Sequence, residues 1–238
     1  MDLKIIYEDN NVLVVEKPAG LIVFPEGKTK EKTLADYLLK NFSWFKKSEA
    51  PPRYGIVHRL DKETSGILLV AKNKKVLLFL QKQFKNKRVE KKYKALVVGK
   101  IKNNEGKIKT LIGRSPKNRK KQKVFLRGEP GSEGKREAIT KYRVIDRFNN
   151  FTLLEVLPQT GRKHQIRCHL AYIHHPIVGD KLYGFKNQPS FPELERQFLH
   201  ASYIKIKLPT GEEKEFKSEL PEDLKRILKK LKNDDHKT

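Results

Sequence analysis

The chain has 238 residues, 37% of them hydrophobic, with 53 Lys and Arg against 28 Asp and Glu, a formal net charge of +25 and a pI near 10.0. That supplies a core of ordinary size, and no apolar run is long enough to cross a membrane as a helix. Cys168 is the only cysteine, which excludes an intrachain disulfide and a cysteine-based zinc cluster, and "MDLKIIYEDN" lacks the regions of a secretion signal; a soluble, cytoplasmic protein is expected.

Ile5 to Tyr7 and Val12 to Glu16 flank "EDNN" and read as a hairpin, ended by "KPAG" at Lys17 to Gly20. "TLADYLLKNF" opens with a Thr33-to-Asp36 capping-box spacing and puts Leu34, Tyr37, Leu38 and Phe42 on one helical face. Ile67 to Ala71 reads as a buried strand, and Val76, Leu77, Leu80 and Phe84 mark a helix that runs into a basic segment. From Gln81 to Gly128 there are 18 basic residues and two acids, Glu90 and Glu105, a local +16, whereas the other 190 residues carry only +9. Such concentration is what a phosphate-tracking face requires, with a solvated Lys-rich surface as the alternative.

Tyr93 to Val98 returns to strand, and "AITKYRVIDRF" with "FTLLEVLP" forms a hairpin about Asn149 and Asn150. A helix is expected near "TGRKHQIRCHLAY", and another with Pro221 as its first residue and Leu224, Ile227, Leu228 and Leu231 turned inward. With no repeat and no linker rich in Gly, Pro or Ser, one α+β domain over residues 1–238 is expected.

Two familiar motifs fail. "HRLD" inverts the order of the kinase catalytic loop and no Asp-Phe-Gly follows, while "GEPGSEGKRE" has Glu129 and Arg136 where a phosphate loop needs Gly and Ser or Thr. His164 and Cys168, with His58, His169, His174 and His175, complete no ligand spacing, so no metal is expected.

What remains is a carboxylate, Asp61, placed before the small residues Thr64, Ser65 and Gly66, which can hold a loop against the start of the following strand. Around it four segments, "IIYEDNNVLVVEKPAGLIVFP", "HRLDKETSGILLVAKN", "KKYKALVVG" and "LPQTGRKHQIRCHLAYIHHPIVGDKLYG", resemble in order the motifs of the RluA family of pseudouridine synthases. The departures are Phe24 where His is common, Cys168 where Val is common and His174 where Gly is common. No amino-terminal S4-type domain is expected, because the first motif starts close to Met1.

The resemblance implies a pseudouridine synthase fold, with a largely antiparallel, mixed central sheet flanked by helices. It implies that a uridine in ribosomal or transfer RNA is flipped out, its N1–C1′ bond broken and C5 joined to C1′. A flipped base needs an aromatic platform and something to fill the vacated space. Tyr93 resembles the family's stacking tyrosine and Arg59 the arginine that enters the RNA stack. Asp61 resembles the catalytic carboxylate and Arg167 its cationic partner, with Arg162 as the fallback for that pairing. Attack on the sugar, addition to C6 of the base and a glycal route all stay open. His58, Arg162, Lys92, Lys120, Lys121 and Lys123 complete the expected RNA contacts. No cofactor and no obligate protein partner are expected, and a monomer is the default. The competing classes are an RNA-binding protein without chemistry and a nuclease or glycosidase; the last would need an acid/base pair or a metal cluster.

Overall fold

The computed structural model of the chain describes residues 3–25, 31–47 and 54–235. Its elements in chain order are β1 (Lys4–Glu8), β2 (Val12–Lys17), α1 (Leu34–Asn41), a 3-10 turn (Ser43–Lys47), β3 (Ser65–Ala71), α2 (Lys74–Lys85) and β4 (Glu90–Val98). There follow β5 (Glu105–Arg114), β6 (Gln122–Phe125), β7 (Arg136–Arg147), β8 (Phe151–Pro158), α3 (Gln165–Tyr172), β9 (Leu199–Lys207), β10 (Glu213–Lys217) and α4 (Glu222–Asp235). Within the span expected as one domain, packing separates two units, Met1–Glu90 with Ala201–Glu219 and Lys91–His200 with Leu220–Thr238. The class is α+β, and every strand pair with a described register is antiparallel.

In the first unit β3 is buried along its whole length, which is why its sequence is an unbroken apolar run rather than an alternating one. Leu68 and Val70 face one core with Leu13, Val15, Leu34, Leu38, Phe45 and Ile56. Ile67, Leu69 and Ala71 face another with Val12, Val14, Val76, Leu77, Leu80, Ile204 and Phe216. The helix α1 covers the first core, and its capping box forms as the spacing predicts: Asp36 N donates to Thr33 Oγ1 at 3.2 Å and Thr33 N to Asp36 Oδ2 at 2.8 Å. The helix α2 covers the second, begun by Asn73, whose side chain accepts from Val76 N at 3.0 Å. Gly66 has φ +119, and a Cβ there would overlap the Ala201 carbonyl, so only glycine lets β3 start so close to its neighbour.

In the second unit the strand order is β4-β8-β7-β5-β6. The hairpin about Asn149 and Asn150 forms, with a bulge between Val144 and Asp146. One core gathers Leu96, Leu154, Val156, Ile166, Leu170, Phe198, Leu224, Ile227 and Leu231. Here α4 presents the expected face, and its Asp223 forks onto Arg196 at 2.6 and 3.1 Å. Pro221 lies just outside α4, its carbonyl accepting from Leu224 and Lys225 at 3.0 Å each. The helix α3 starts later than "TGRKH" suggests, because His164 at its N-cap takes a left-handed φ of 55 and offers no capping side chain. Residues 126–135 join β6 to β7, so "GEPGSEGKRE" runs from this connection into the start of β7. The strands β5, β6, β9 and β10 are not among the elements read from the sequence; charged residues interrupt the apolar pattern of β5 and β10.

Candidate active site

The segment around Asp61 is built by its neighbours in the first unit. Residues 55–57 lie along the end of β3, with Val57 N donating to Leu69 O at 3.1 Å and Ala71 N to Gly55 O at 2.8 Å. The chain then loops through His58 to Thr64 and enters β3, closing a turn in which Thr64 N donates to Asp61 O at 3.0 Å. Leu60, Thr64 and Ser65 are buried, whereas Asp61 is half-buried, so a polar side chain is held at the rim of a fixed loop.

Two devices fix that loop. The imidazole of His58 stacks on Phe84, with centroids 4.9 Å apart, and its Nε2 accepts from Leu69 N–H at 3.2 Å. His58, which the sequence places among the RNA contacts, also props the loop through these contacts. The second device, Lys17, has no role that the sequence alone assigns. It is fully buried, and its ammonium donates to the carbonyls of Pro18 at 2.7 Å, Leu21 at 2.8 Å and Lys62 at 3.0 Å. Carbonyl acceptors of this kind are what make burying an ammonium tolerable. Gly20 N also donates to Lys62 O, at 2.9 Å. The "KPAG" turn and the residue after Asp61 are therefore closed around one cation. Arg59 lies over the ring of Phe24, 5.3 Å from its centroid, so the phenylalanine that departs from the family pattern supplies a cation–π platform.

In the second unit Tyr93 stands opposite Val156 on β4 and packs half-buried against the core. Lys92 points to the other strand face, while Lys91 shares the face of Tyr93, and burial pushes its ammonium down to about 8. Arg167 is buried on α3, and it forks onto Asp180: Nε donates to Oδ2 at 2.7 Å and Nη2 to Oδ1 at 2.9 Å. Burial alone would raise the Asp180 carboxyl, but Arg167 and the N–H groups of Leu182 and Tyr183 hold it below the usual carboxylate range.

Arg162 donates through Nε to Glu137 O at 2.9 Å, and so ties the loop before α3 to β7. Gln165 completes that tie, accepting from Thr160 Oγ1 at 2.7 Å and Arg162 N at 3.0 Å. Lys120 and Lys121 end the exposed loop of the β5–β6 hairpin, while Lys123 pairs with Glu129 at 3.3 Å and lies over Phe125. His169 is fully buried between Thr140 Oγ1 at 2.8 Å and Thr110 Oγ1 at 3.0 Å, and His164 Nδ1 lies 3.1 Å from Tyr183 Oη. Burial pushes His169 down to about 4 and the Cys168 thiol up to about 12.

The sequence model of the RNA pseudouridylate synthase family matches residues 11–172. The uncharacterized RNA pseudouridine synthase YlyB of Bacillus subtilis is 41% identical over 98% of this chain and 74% of its own length. Ribosomal large subunit pseudouridine synthase D of Pseudomonas aeruginosa is 38% identical over 98% of this chain and 73% of its own. Among solved structures, Human RNA Pseudouridylate Synthase Domain Containing 4 superposes with a TM-score of 0.77 at 28% identity, covering 96% of this chain and 93% of that one.

Proposed function

Because this chain belongs to the RNA pseudouridylate synthase family and is an RNA uridine isomerase, we propose that Asp61 is its reactive carboxylate and large-subunit ribosomal RNA its substrate. The observation that carries the assignment of Asp61 is the loop: a half-buried carboxylate between residues locked by Lys17 and His58, matching the family's catalytic motif. A carboxylate beside a sugar that develops positive charge acts as nucleophile, base or electrostatic partner, and each role demands a fixed position. Tyr93 is the platform for the flipped uracil, supported by its half-buried place on β4. Arg59 fills the stack the uracil leaves, supported by a guanidinium already held against Phe24. Arg167 is the buried cation of the site, and the choice of ribosomal RNA follows the names of relatives that align with nearly the whole chain.

The exposed lysines and arginines of the β5–β6 loop supply phosphate contacts, consistent with the concentration of charge from Gln81 to Gly128. The test is Asp61→Asn, which removes the charge at nearly constant size. Incubated with large-subunit ribosomal RNA and read by mass spectrometry of nucleosides, it should form no pseudouridine while binding RNA within a few-fold of wild type. Turnover at the wild-type rate would remove Asp61 from the mechanism, and an unmodified ribosomal RNA with a modified transfer RNA would replace the substrate.

A further inference from the structure

Asp180 and Tyr183 lie on one short turn, and between them they touch three separate segments of the second unit. The Asp180 carboxylate accepts four hydrogen bonds: two from Arg167, one from Leu182 N and one from Tyr183 N, the last two at 2.9 Å each. It fixes the guanidinium and the turn in a single group. The turn begins at Gly179, with φ +74, where a Cβ would overlap the Arg196 carbonyl, so the turn is also pressed against the backbone behind it. From this base Tyr183 reaches outward. Its ring lies beneath the Arg167 guanidinium, 5.2 Å from centroid to Cζ, and beneath Lys121 Nζ at 5.8 Å. Its hydroxyl accepts from Gln122 N–H at 2.6 Å and lies 3.1 Å from His164 Nδ1.

Gln122 is the first residue of β6, directly after the loop "SPKNRKK". Four of those seven residues are cationic and none is acidic, so like charges push the loop apart and work against any single conformation. The bond from Gln122 N to Tyr183 fixes one end of it, and Cys168 Sγ on Gln122 O at 3.6 Å adds a weaker tie to α3. Burial pushes the Tyr183 hydroxyl far above any physiological titration, so it stays protonated and keeps this geometry at every working pH.

We propose that Tyr183 is a positioning residue for RNA: its hydroxyl staples the basic hairpin to the turn that holds Arg167, so the hairpin cations and Arg167 meet the RNA in one fixed register. The inference deepens the reading of the chain as a pseudouridine synthase with Arg167 in its site, and rests on it. Preorganisation is the physical gain, since a loop already ordered loses less entropy when it binds.

The test is Tyr183→Phe in the full chain, which keeps the ring under Arg167 and removes only the hydroxyl. Amide exchange at Gln122 should accelerate, and KM for the RNA should rise about tenfold, the value of one hydrogen bond, with kcat the lesser change. The salt dependence of RNA binding should become shallower. A purely structural role would lower the melting temperature and leave that slope alone. Asp180→Asn frees both the arginine and the turn, and should lower kcat and raise KM together; if it fails to fold, Arg167→Lys, which keeps the charge and loses the fork, is read for kcat instead. Accelerated exchange with wild-type KM and salt slope would overturn the proposal, as would unchanged protection of Gln122. Asp61→Asn in the same assay separates the two readings. An active Asp61→Asn refutes the assigned chemistry, whereas an inactive one beside a Tyr183→Phe enzyme that matches wild type refutes the staple alone.

Discussion

Lys17→Met isolates the clamp on the loop bearing Asp61, because methionine keeps most of the buried volume and removes the ammonium. Of the three carbonyls that lose a donor, Lys62 O still has Gly20 N–H at 2.9 Å, so the Pro18 and Leu21 carbonyls bear the loss. A carbonyl left unsatisfied in this half-buried setting costs ~1–3 kcal/mol, and the ammonium desolvation that no longer opposes folding returns part of the sum, for a net loss of roughly 2–4 kcal/mol. For a chain of this size each kcal/mol is worth about 2–4 °C, so the melting temperature should fall by about 5–15 °C. The kinetic effect is larger than the thermal one. Lys62 follows Asp61 directly, and a displacement of about 1 Å at a reacting group costs ~10²-fold in rate, so single-turnover pseudouridine formation with saturating RNA should slow by about that factor. RNA affinity should hold, since Lys17 is fully buried and meets no phosphate. Calorimetry and a quenched single-turnover assay on the same preparation measure both quantities. A Lys17→Met protein that melts and turns over like wild type would show that the three carbonyls do not hold the loop.

Two further outcomes follow from other parts of the chain. Changing Lys117, Arg119, Lys120 and Lys121 to Gln should weaken binding to unrelated RNAs alike and lower the slope of log K against log salt by about 0.7 for each phosphate no longer neutralised; an unchanged slope would make the loop a solvated surface. His169, fully buried with its imidazole pushed down to about 4, is easier to protonate in the unfolded chain than in the folded one. Its contribution is therefore complete above the ordinary histidine value near 6.5 and is lost as the pH falls toward 4, a span worth roughly 3 kcal/mol. Urea unfolding from pH 7.5 to 4.5 should show this loss, and His169→Gln should flatten it; parallel curves for the two proteins would assign the acid sensitivity elsewhere.

The elements that could be read in the sequence are those whose instructions are local. The Thr33–Asp36 box, the Asn149–Asn150 hairpin and the apolar β3 each declare themselves within a few residues. The β5–β6 hairpin escapes such a reading because its buried residues, Ile108, Thr110 and Ile112, alternate with lysines and a leucine, so a basic segment hides a period of two. The site divides in the same way. The motifs attach expected roles to Asp61, Tyr93 and Arg167, but attach none to the residues beside them that hold the backbone in place. Lys17 is bound by backbone carbonyls, which any sequence supplies, and nothing in "KPAG" announces that its lysine turns inward. Asp180 and Tyr183 stand within the third family motif, yet their partners Arg167 and Gln122 lie 13 and 61 residues away, a distance only the folded backbone closes.

The strand β3 feeds alternate side chains into two different cores, and the loop bearing Asp61 is anchored to it through Val57, His58 and Ala71. The loop bearing Asp61 thus takes its position from two separate bodies of packing. A cavity opened at Leu38 on one side, or at Leu80 on the other, shifts the same strand and through it the same carboxylate. Genetic screens for lost RNA modification will accordingly return positions from α1 and α2 beside those of the "HRLD" segment. Separating chemists from scaffolding in such a collection will take a fold measurement on every variant, because the phenotype is shared.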